Sequence, residues 1–256
     1  MKYFFDIITI MPEMFDGFLA DGVVSRAFNQ NIINLNLINP RKFSKDLHHS
    51  IDDRPYGGGP GMVMMPEPLV SSINEAKSRQ KAEGVKKSKV IFLSPKGEKF
   101  NHKLAKSLSE NDGLIFIAGR YEGIDQRVID NWVDLELSIG DYVLSGGEIP
   151  TMVVIDAVSR LIPGVLNKNE SVENDSFFNG LLDHQSFTRP EVYENIAVPE
   201  VLLSGDHNKI DIWRLKNALY ETFKKRPDLL KNRQLTIEET RLLDEAIREQ
   251  EQGSKK

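Results

Sequence analysis

Ile115-Phe116-Ile117-Ala118-Gly119-Arg120-Tyr121-Glu122-Gly123-Ile124-Asp125 is the stretch on which the fold turns. It begins as a short apolar run with β-branched residues, the composition of a buried strand. Gly119 breaks that run, Gly123 permits a second close turn, and Asp125 is a residue type that caps helices through its carboxylate. Strand, glycine-bearing turn and helix start together make the repeating unit of an open α/β sheet. In such sheets ligands bind in the crevice beyond the carboxyl ends of the strands. Here Tyr121 and Glu122 put a stacking ring and a carboxylate into the turn.

Outward from this segment the same alternation fills the first two thirds of the chain. Short Ile-, Val- and Phe-rich runs predict strands over Tyr3–Ile10, Ile33–Ile38, Val90–Leu93, Leu114–Ala118 and Val133–Ile139. Helical spacing predicts helices over Pro66–Lys81, Asn101–Ser109 and Ile149–Ile162, the last stopped by Pro163-Gly164. Strands alternating with helices imply an α/β class with a mostly parallel sheet covered on both faces. After Gly164 the stretch Leu166–Ser176 is polar and without apolar period, and beyond it no convincing strand is predicted. Helices are expected near Val198–Ser204, Ile210–Lys225 and Ile237–Gln250, with a frayed tail from Gly253. Residues 1–166 are thus read as an α/β domain, 167–178 as an interdomain linker and 179–256 as a small α-helical domain.

Composition narrows the function classes. The 256 residues include no cysteine, which excludes disulfides, thiolate metal sites and cysteine nucleophiles and fits a reducing, cytoplasmic setting. Tyr3–Ile8 carries Asp6 inside an apolar run without a small-residue cleavage site, so it reads as a first strand and not a signal peptide. No run of apolar residues is long enough to span a membrane, and no membrane partner is expected. A formal net charge of −5 argues against indiscriminate polyanion binding, and DNA is not an expected partner. Charge is nevertheless uneven. Lys209–Arg233 holds eight bases against three acids, whereas Thr236–Gln252 holds two bases against six acids. Two solvated helix faces would account for this, as would a polyanion-binding surface.

Two further segments resist explanation as packing. Ser138-Ile139-Gly140-Asp141-Tyr142-Val143-Leu144-Ser145-Gly146-Gly147-Glu148-Ile149-Pro150 also follows a strand and precedes a helix, and with Gly119–Asp125 it implies one shared small-molecule pocket. Asp52-Asp53-Arg54-Pro55-Tyr56-Gly57-Gly58-Gly59-Pro60-Gly61-Met62 is a loop, since four glycines and two prolines fit neither helix nor central strand. It reads either as a surface loop or as a backbone cradle for phosphate. It matches neither a Walker A pattern nor the dinucleotide fingerprint, which weighs against a nucleotide hydrolase or kinase.

With these segments in view the chain resembles the bacterial tRNA (guanine-N1)-methyltransferases, the TrmD family of the SPOUT superfamily. The resemblance runs through Asp52–Met65, Leu93-Ser94-Pro95, Gly119–Asp125, Ser138–Pro150, Val158–Gly164, Asp175-Ser176-Phe177, Gly180–Asp183, Thr188–Val192 and Val201–His207, in order along nearly the whole chain. It implies a deep trefoil knot in the α/β domain, which periodicity does not reveal. It implies S-adenosylmethionine as methyl donor, held by Leu93, Ser94 and Pro95, by Gly119, Tyr121, Glu122 and Gly123, and by Ser138, Ile139, Gly140, Tyr142, Leu144, Gly146, Gly147 and Pro150. Leu93-Ser94-Pro95 on its own reads as an ordinary strand end before a helix.

The resemblance further implies methylation of the guanosine 3′ to the anticodon of tRNA. Asp175 is the implied general base at N1, and Arg160 the implied stabiliser of charge on O6. Locally, Asp175 also reads as a helix N-cap and Arg160 as a cation in the last turn of its helix. Magnesium is implied as well, linked to Glu122, as is a homodimer with the active site between subunits. The basic segment, with Trp213 and Arg214, becomes the implied tRNA contact. His48, His49 and His184 lack ligand spacing for a metal. The rivals kept open are a phosphate-loop enzyme using Gly57–Gly61, a non-catalytic RNA-binding protein on this fold, and a knotted methyltransferase for another base.

Overall fold

The computed structural model describes residues 2–166, 175–231 and 233–253. Residues 167–174 of the expected linker therefore lie outside the described residues. The chain divides into two compact units, Met1–Asn167 and Lys168–Lys256.

The first unit is built on five parallel strands, β1 (Tyr3–Ile8), β2 (Ile33–Ile38), β5 (Ser88–Lys99), β6 (Gly113–Ile117) and β7 (Leu135–Ser138). They lie in the order β2-β1-β6-β5-β7. Side chains alternate across a strand, and the two faces bury separate cores. Phe5, Ile7, Ile91, Leu114 and Phe116 face helices α2 (Gly22–Asn29), α4 (His102–Ser109) and α6 (Glu148–Ser159). Ile8, Val90, Phe92, Ile115 and Ile117 face α3 (Pro66–Ala82) and α5 (Gln126–Trp132). Asn101 caps α4 by accepting from the Leu104 amide at 2.9 Å, and Asp125 caps α5 by accepting from the Arg127 amide at 2.9 Å.

Asp6 is the exception in this apolar pattern. Its carboxylate is fully buried and accepts from Arg79 Nε at 2.7 Å, Arg79 Nη2 at 3.1 Å, Gln80 Nε2 at 2.8 Å and Asn36 Nδ2 at 2.9 Å. An acid in the middle of β1 is thereby converted into the tether of α3, because a buried charge is tolerable only when paired and hydrogen-bonded.

Three expectations need correction. β5 does not end at Leu93 but continues to Lys99, re-pairing with β7 after an irregularity between Leu93 and Glu98. Backbone proximity permits this: a Cβ on Gly97 would lie 2.3 Å from the Leu137 nitrogen. The glycine-rich loop closes an antiparallel pair, β3 (Asp52–Asp53) with β4 (Val63–Met64). In the second unit, where no strand is predicted, Val192–Tyr193 (β8) and Ile196–Ala197 (β9) form a hairpin whose turn residues Glu194 and Asn195 take positive φ.

The second unit packs α8 (His207–Lys225) against α10 (Ile237–Gly253), with α7 (Glu200–Leu203) and α9 (Pro227–Lys231) alongside. Leu181, Leu219, Leu242 and Leu243 form its core. A reciprocal cap starts α10: Thr236 Oγ1 accepts from the Glu239 amide at 3.1 Å while Glu239 Oε2 accepts from the Thr236 amide at 2.8 Å. Burial opposes ionisation of Glu239, but these bonds and the Arg233 guanidinium outweigh it and hold the carboxyl below the usual range. The charge asymmetry is resolved in part by packing, since Lys216 on basic α8 meets Glu249 on acidic α10 at 2.7 Å.

Arg79→Leu should destabilise the first unit by about 3 kcal/mol, because it strands a fully buried carboxylate on Asp6. Urea unfolding followed by circular dichroism checks this, and Arg79→Leu/Asp6→Asn should recover much of the loss.

Candidate functional site

The carboxyl ends of β5, β6 and β7 each release a loop, and the three loops wall a cavity of about 430 Å³. That volume lies within the roughly 300–1,000 Å³ typical of small-molecule sites. Leu93, Ser94 and Pro95 line it from β5; Gly119, Tyr121, Glu122 and Gly123 from the β6 loop; and Ser138, Ile139, Gly140, Tyr142, Leu144, Gly146, Gly147 and Pro150 from the β7 loop and the start of α6. The three segments singled out for a donor pocket are therefore brought together. Sequence reasoning missed Arg120, Gln126, Ile129 and Glu136, which line the same cavity. Gln126 and Ile129 are three apart on α5, and the Asp125 cap was the signal that a helix face begins there.

Close backbone contact holds the loops together. The Gly147 amide donates to the Gly119 carbonyl at 2.8 Å, and a Cβ on Gly147 would lie 2.7 Å from the Ala118 Cα. The β7 loop can approach the end of β6 this closely only because position 147 carries hydrogen. Beside that contact Arg120 Nε donates to Glu148 Oε2 at 2.8 Å, and Thr9 Oγ1 donates to Glu148 Oε1 at 2.9 Å. Arg120 Nη1 also donates to the Ser145 carbonyl at 3.2 Å. Glu148 is fully buried and the Arg120 side chain is 13% exposed.

On the other side, the Glu122 amide donates to the Met62 carbonyl at 3.0 Å and the Met64 amide to the Gly123 carbonyl at 2.9 Å, fastening the β3–β4 hairpin to the β6 loop. Tyr121 takes a positive φ of 60°. Partial burial and the Asp52 carboxylate hold its hydroxyl above the usual phenol range, with Arg41 opposing them.

Arg160, the implied catalytic side chain of the first unit, does not line this cavity. Arg160 is the C-cap of α6, its amide bonded to the Asp156 carbonyl at 3.2 Å. Asp175 belongs to the second unit and heads a turn over 176–179, not a helix; the Phe178 amide donates to its carbonyl at 3.3 Å. Just beyond the turn, the Leu182 amide donates to Thr222 Oγ1 on α8 at 2.8 Å. Asp175 lines a second cavity with Asp183, His184, Asp211 and Arg214, and His184 and Phe187 both pack edge-on to Trp213. Among the described residues no group of three or more His, Cys, Asp or Glu side chains forms a metal cage.

With a parallel sheet and a glycine-bearing cavity at its carboxyl edge established, sequence comparison with known proteins adds the family. Residues 1–232 match the family described as tRNA (guanine-1)-methyltransferase TrmD. Among curated relatives, the tRNA (guanine-N(1)-)-methyltransferase of Buchnera aphidicola subsp. Schizaphis graminum is 54% identical over 241 residues, covering 94% of this chain and 90% of the relative. Those of Idiomarina loihiensis and Pseudomonas putida strain W619 are 53% and 52% identical, covering 96% of this chain and 96% and 97% of their own. The chain belongs to the tRNA (guanine-1)-methyltransferase family.

Gly147→Ala should destabilise the first unit by about 1–3 kcal/mol, since the added methyl meets backbone on Ala118 and nothing flexible can yield. Gly17→Ala, which meets nothing within 4 Å, is the control. Differential scanning calorimetry of the two variants compares them directly.

Proposed function

We propose that this chain transfers a methyl group from S-adenosylmethionine to N1 of the guanosine immediately 3′ to the anticodon of tRNA. The family match over residues 1–232 supports this most directly, because it includes the segments that wall the cavity and those that carry Arg160 and Asp175. The donor occupies the cavity of the first unit. In the same proposal, residues 1–166 are the donor-binding domain, 167–178 the linker and 179–256 the tRNA-binding domain.

The chemistry defines what the side chains must do. N1 of guanine bears a proton at neutral pH, so a base must remove it before the nitrogen can attack the methyl group, and negative charge then gathers on O6. Asp175 takes that proton and Arg160 stabilises the charge on O6. A positioned general base contributes roughly 10²–10⁴ in rate, and a cation aimed at developing charge contributes comparably. Trp213, Arg214 and the other bases of Lys209–Arg233 meet the RNA, whose binding then weakens with salt. The target nucleotide lies in a loop, where its base can be turned out and read on its Watson–Crick edge.

Further parts of the proposal stand on separate observations. A deep trefoil knot belongs to the same proposal and rests on the family match over residues 1–232. A homodimer with the active site between subunits is supported by Met11, Met14, Ile149 and Val153, apolar residues left exposed on α6 and the neighbouring turn. Magnesium enters only as a companion of substrate or donor charge near Glu122, since the described residues build no cage for it. The cytoplasm, where tRNA is matured, is the proposed place of action; no described helix is long and apolar enough to cross a membrane.

The deciding experiment supplies labelled S-adenosylmethionine and magnesium with two tRNA transcripts, one carrying guanosine 3′ to the anticodon and one carrying adenosine there. Label on the first alone, as N1-methylguanosine, is expected; label on neither, with folded protein, would favour a binding protein without catalysis. Asp175→Asn should abolish turnover while sparing donor binding by calorimetry. Arg160→Lys should lose most of the rate with little change in melting temperature, because a lysine lacks the planar fork of the guanidinium.

A further inference from the structure

We infer that Arg120 and Glu148 form a positioning pair for the methyl donor, setting the shape of the cavity without taking part in the chemistry. The inference rests on the methyltransferase reading and adds two residues to it. Glu148 is completely buried, and both of its oxygens are used, one by the Thr9 hydroxyl at 2.9 Å and one by Arg120 Nε at 2.8 Å. Thr9 follows β1, Arg120 stands in the β6 loop, and Glu148 opens α6 directly after the β7 loop. One carboxylate therefore joins three segments that arrive from different strands.

Arg120 extends the link into the cavity wall, which it lines, by donating to the Ser145 carbonyl at 3.2 Å. Room for the guanidinium comes from Gly146, where a Cβ would lie 2.2 Å from Arg120 Nε. The arrangement is built for geometry more than for stability. A buried ion pair contributes little net stability compared with apolar residues of the same volume, whereas its directional bonds admit one arrangement of the loops. A planar fork with fixed donors holds Ser145 and Glu148 at set angles, which a flexible ammonium does not. Loops held in their binding geometry lose less freedom when ligand enters, and that difference appears in affinity.

The test uses the full-length protein, with S-adenosylhomocysteine as an inert donor mimic in calorimetry and steady-state kinetics alongside. Arg120→Lys retains the charge and the fold. It should raise the Kd for the mimic and the KM for the donor about tenfold, equivalent to about 1.4 kcal/mol. It should leave kcat at saturating donor and KM for tRNA within about twofold, as expected when ground-state and transition-state binding fall together. Arg120→Met/Glu148→Gln removes the charges together, so melting temperature should return close to that of the parent while the Kd stays raised. Parent-like affinity in a folded double variant, or affinity that merely follows melting temperature across the set, would overturn the inference. If the parent itself fails to bind the mimic, the methyltransferase reading falls and the positioning role with it.

Discussion

The constraint on which most of the first unit depends is the approach of backbone to backbone at the carboxyl edge of its sheet. Gly97 lies against Glu136 and Leu137, and Gly147 against Ala118 and Gly119, in both cases closer than a side chain permits. Those contacts bring the extension of β5, the β6 loop and the β7 loop into one place. The cavity is what remains between them. Its walls combine glycine-bearing main chain with apolar side chains such as Leu93, Ile129, Leu137 and Leu144, and Ser94, Arg120, Glu122, Gln126 and Glu136 are among the polar side chains that line it.

Charge is used in two distinct ways. Asp6 and Glu148 are completely buried acids, each matched to an arginine and further donors, and each joins elements far apart in sequence. The pairs on the helical unit are different. Lys209 with Asp206, Arg214 with Asp211 and Arg226 with Asp228 are exposed, and pairs of that kind contribute little to stability. They also partly neutralise the basic segment Lys209–Arg233.

Much of the α/β unit is legible in the sequence because its strands are short, apolar runs and its helices carry regular spacing. Glu136 is not legible as a pocket residue, since only the register of β7 against β5 turns it towards Ser94, whose hydroxyl lies 3.2 Å away. The continuation of β5 through Pro95 and Gly97 runs against local propensity and is decided by its long-range partner. Two-residue strands such as β3, β4, β8 and β9 are defined by pairing alone, so no window along the chain signals them. Two of the three cavity loops can be anticipated from glycines at strand ends. The third, Leu93-Ser94-Pro95, has no local signature and emerges only through family resemblance. Asp175 has the opposite history, because its local pattern points to a helix cap, whereas it heads a turn.

The strand order has a kinetic consequence. Every pairing in the main sheet is parallel and joins residues remote in sequence: Tyr3 with Ile33, Phe4 with Gly113, Ile91 with Leu135. No hairpin within that sheet can form early and template the rest, and loop-closure entropy must be met before any strand gains its partner. Chains dominated by such non-local contacts acquire native structure slowly, whereas helices joined by short connections do so quickly. During synthesis β1 emerges long before β6, and until then its edge has only β2 to shield it. Among the strands of that sheet, the N-terminal one thus has the longest wait for its second neighbour.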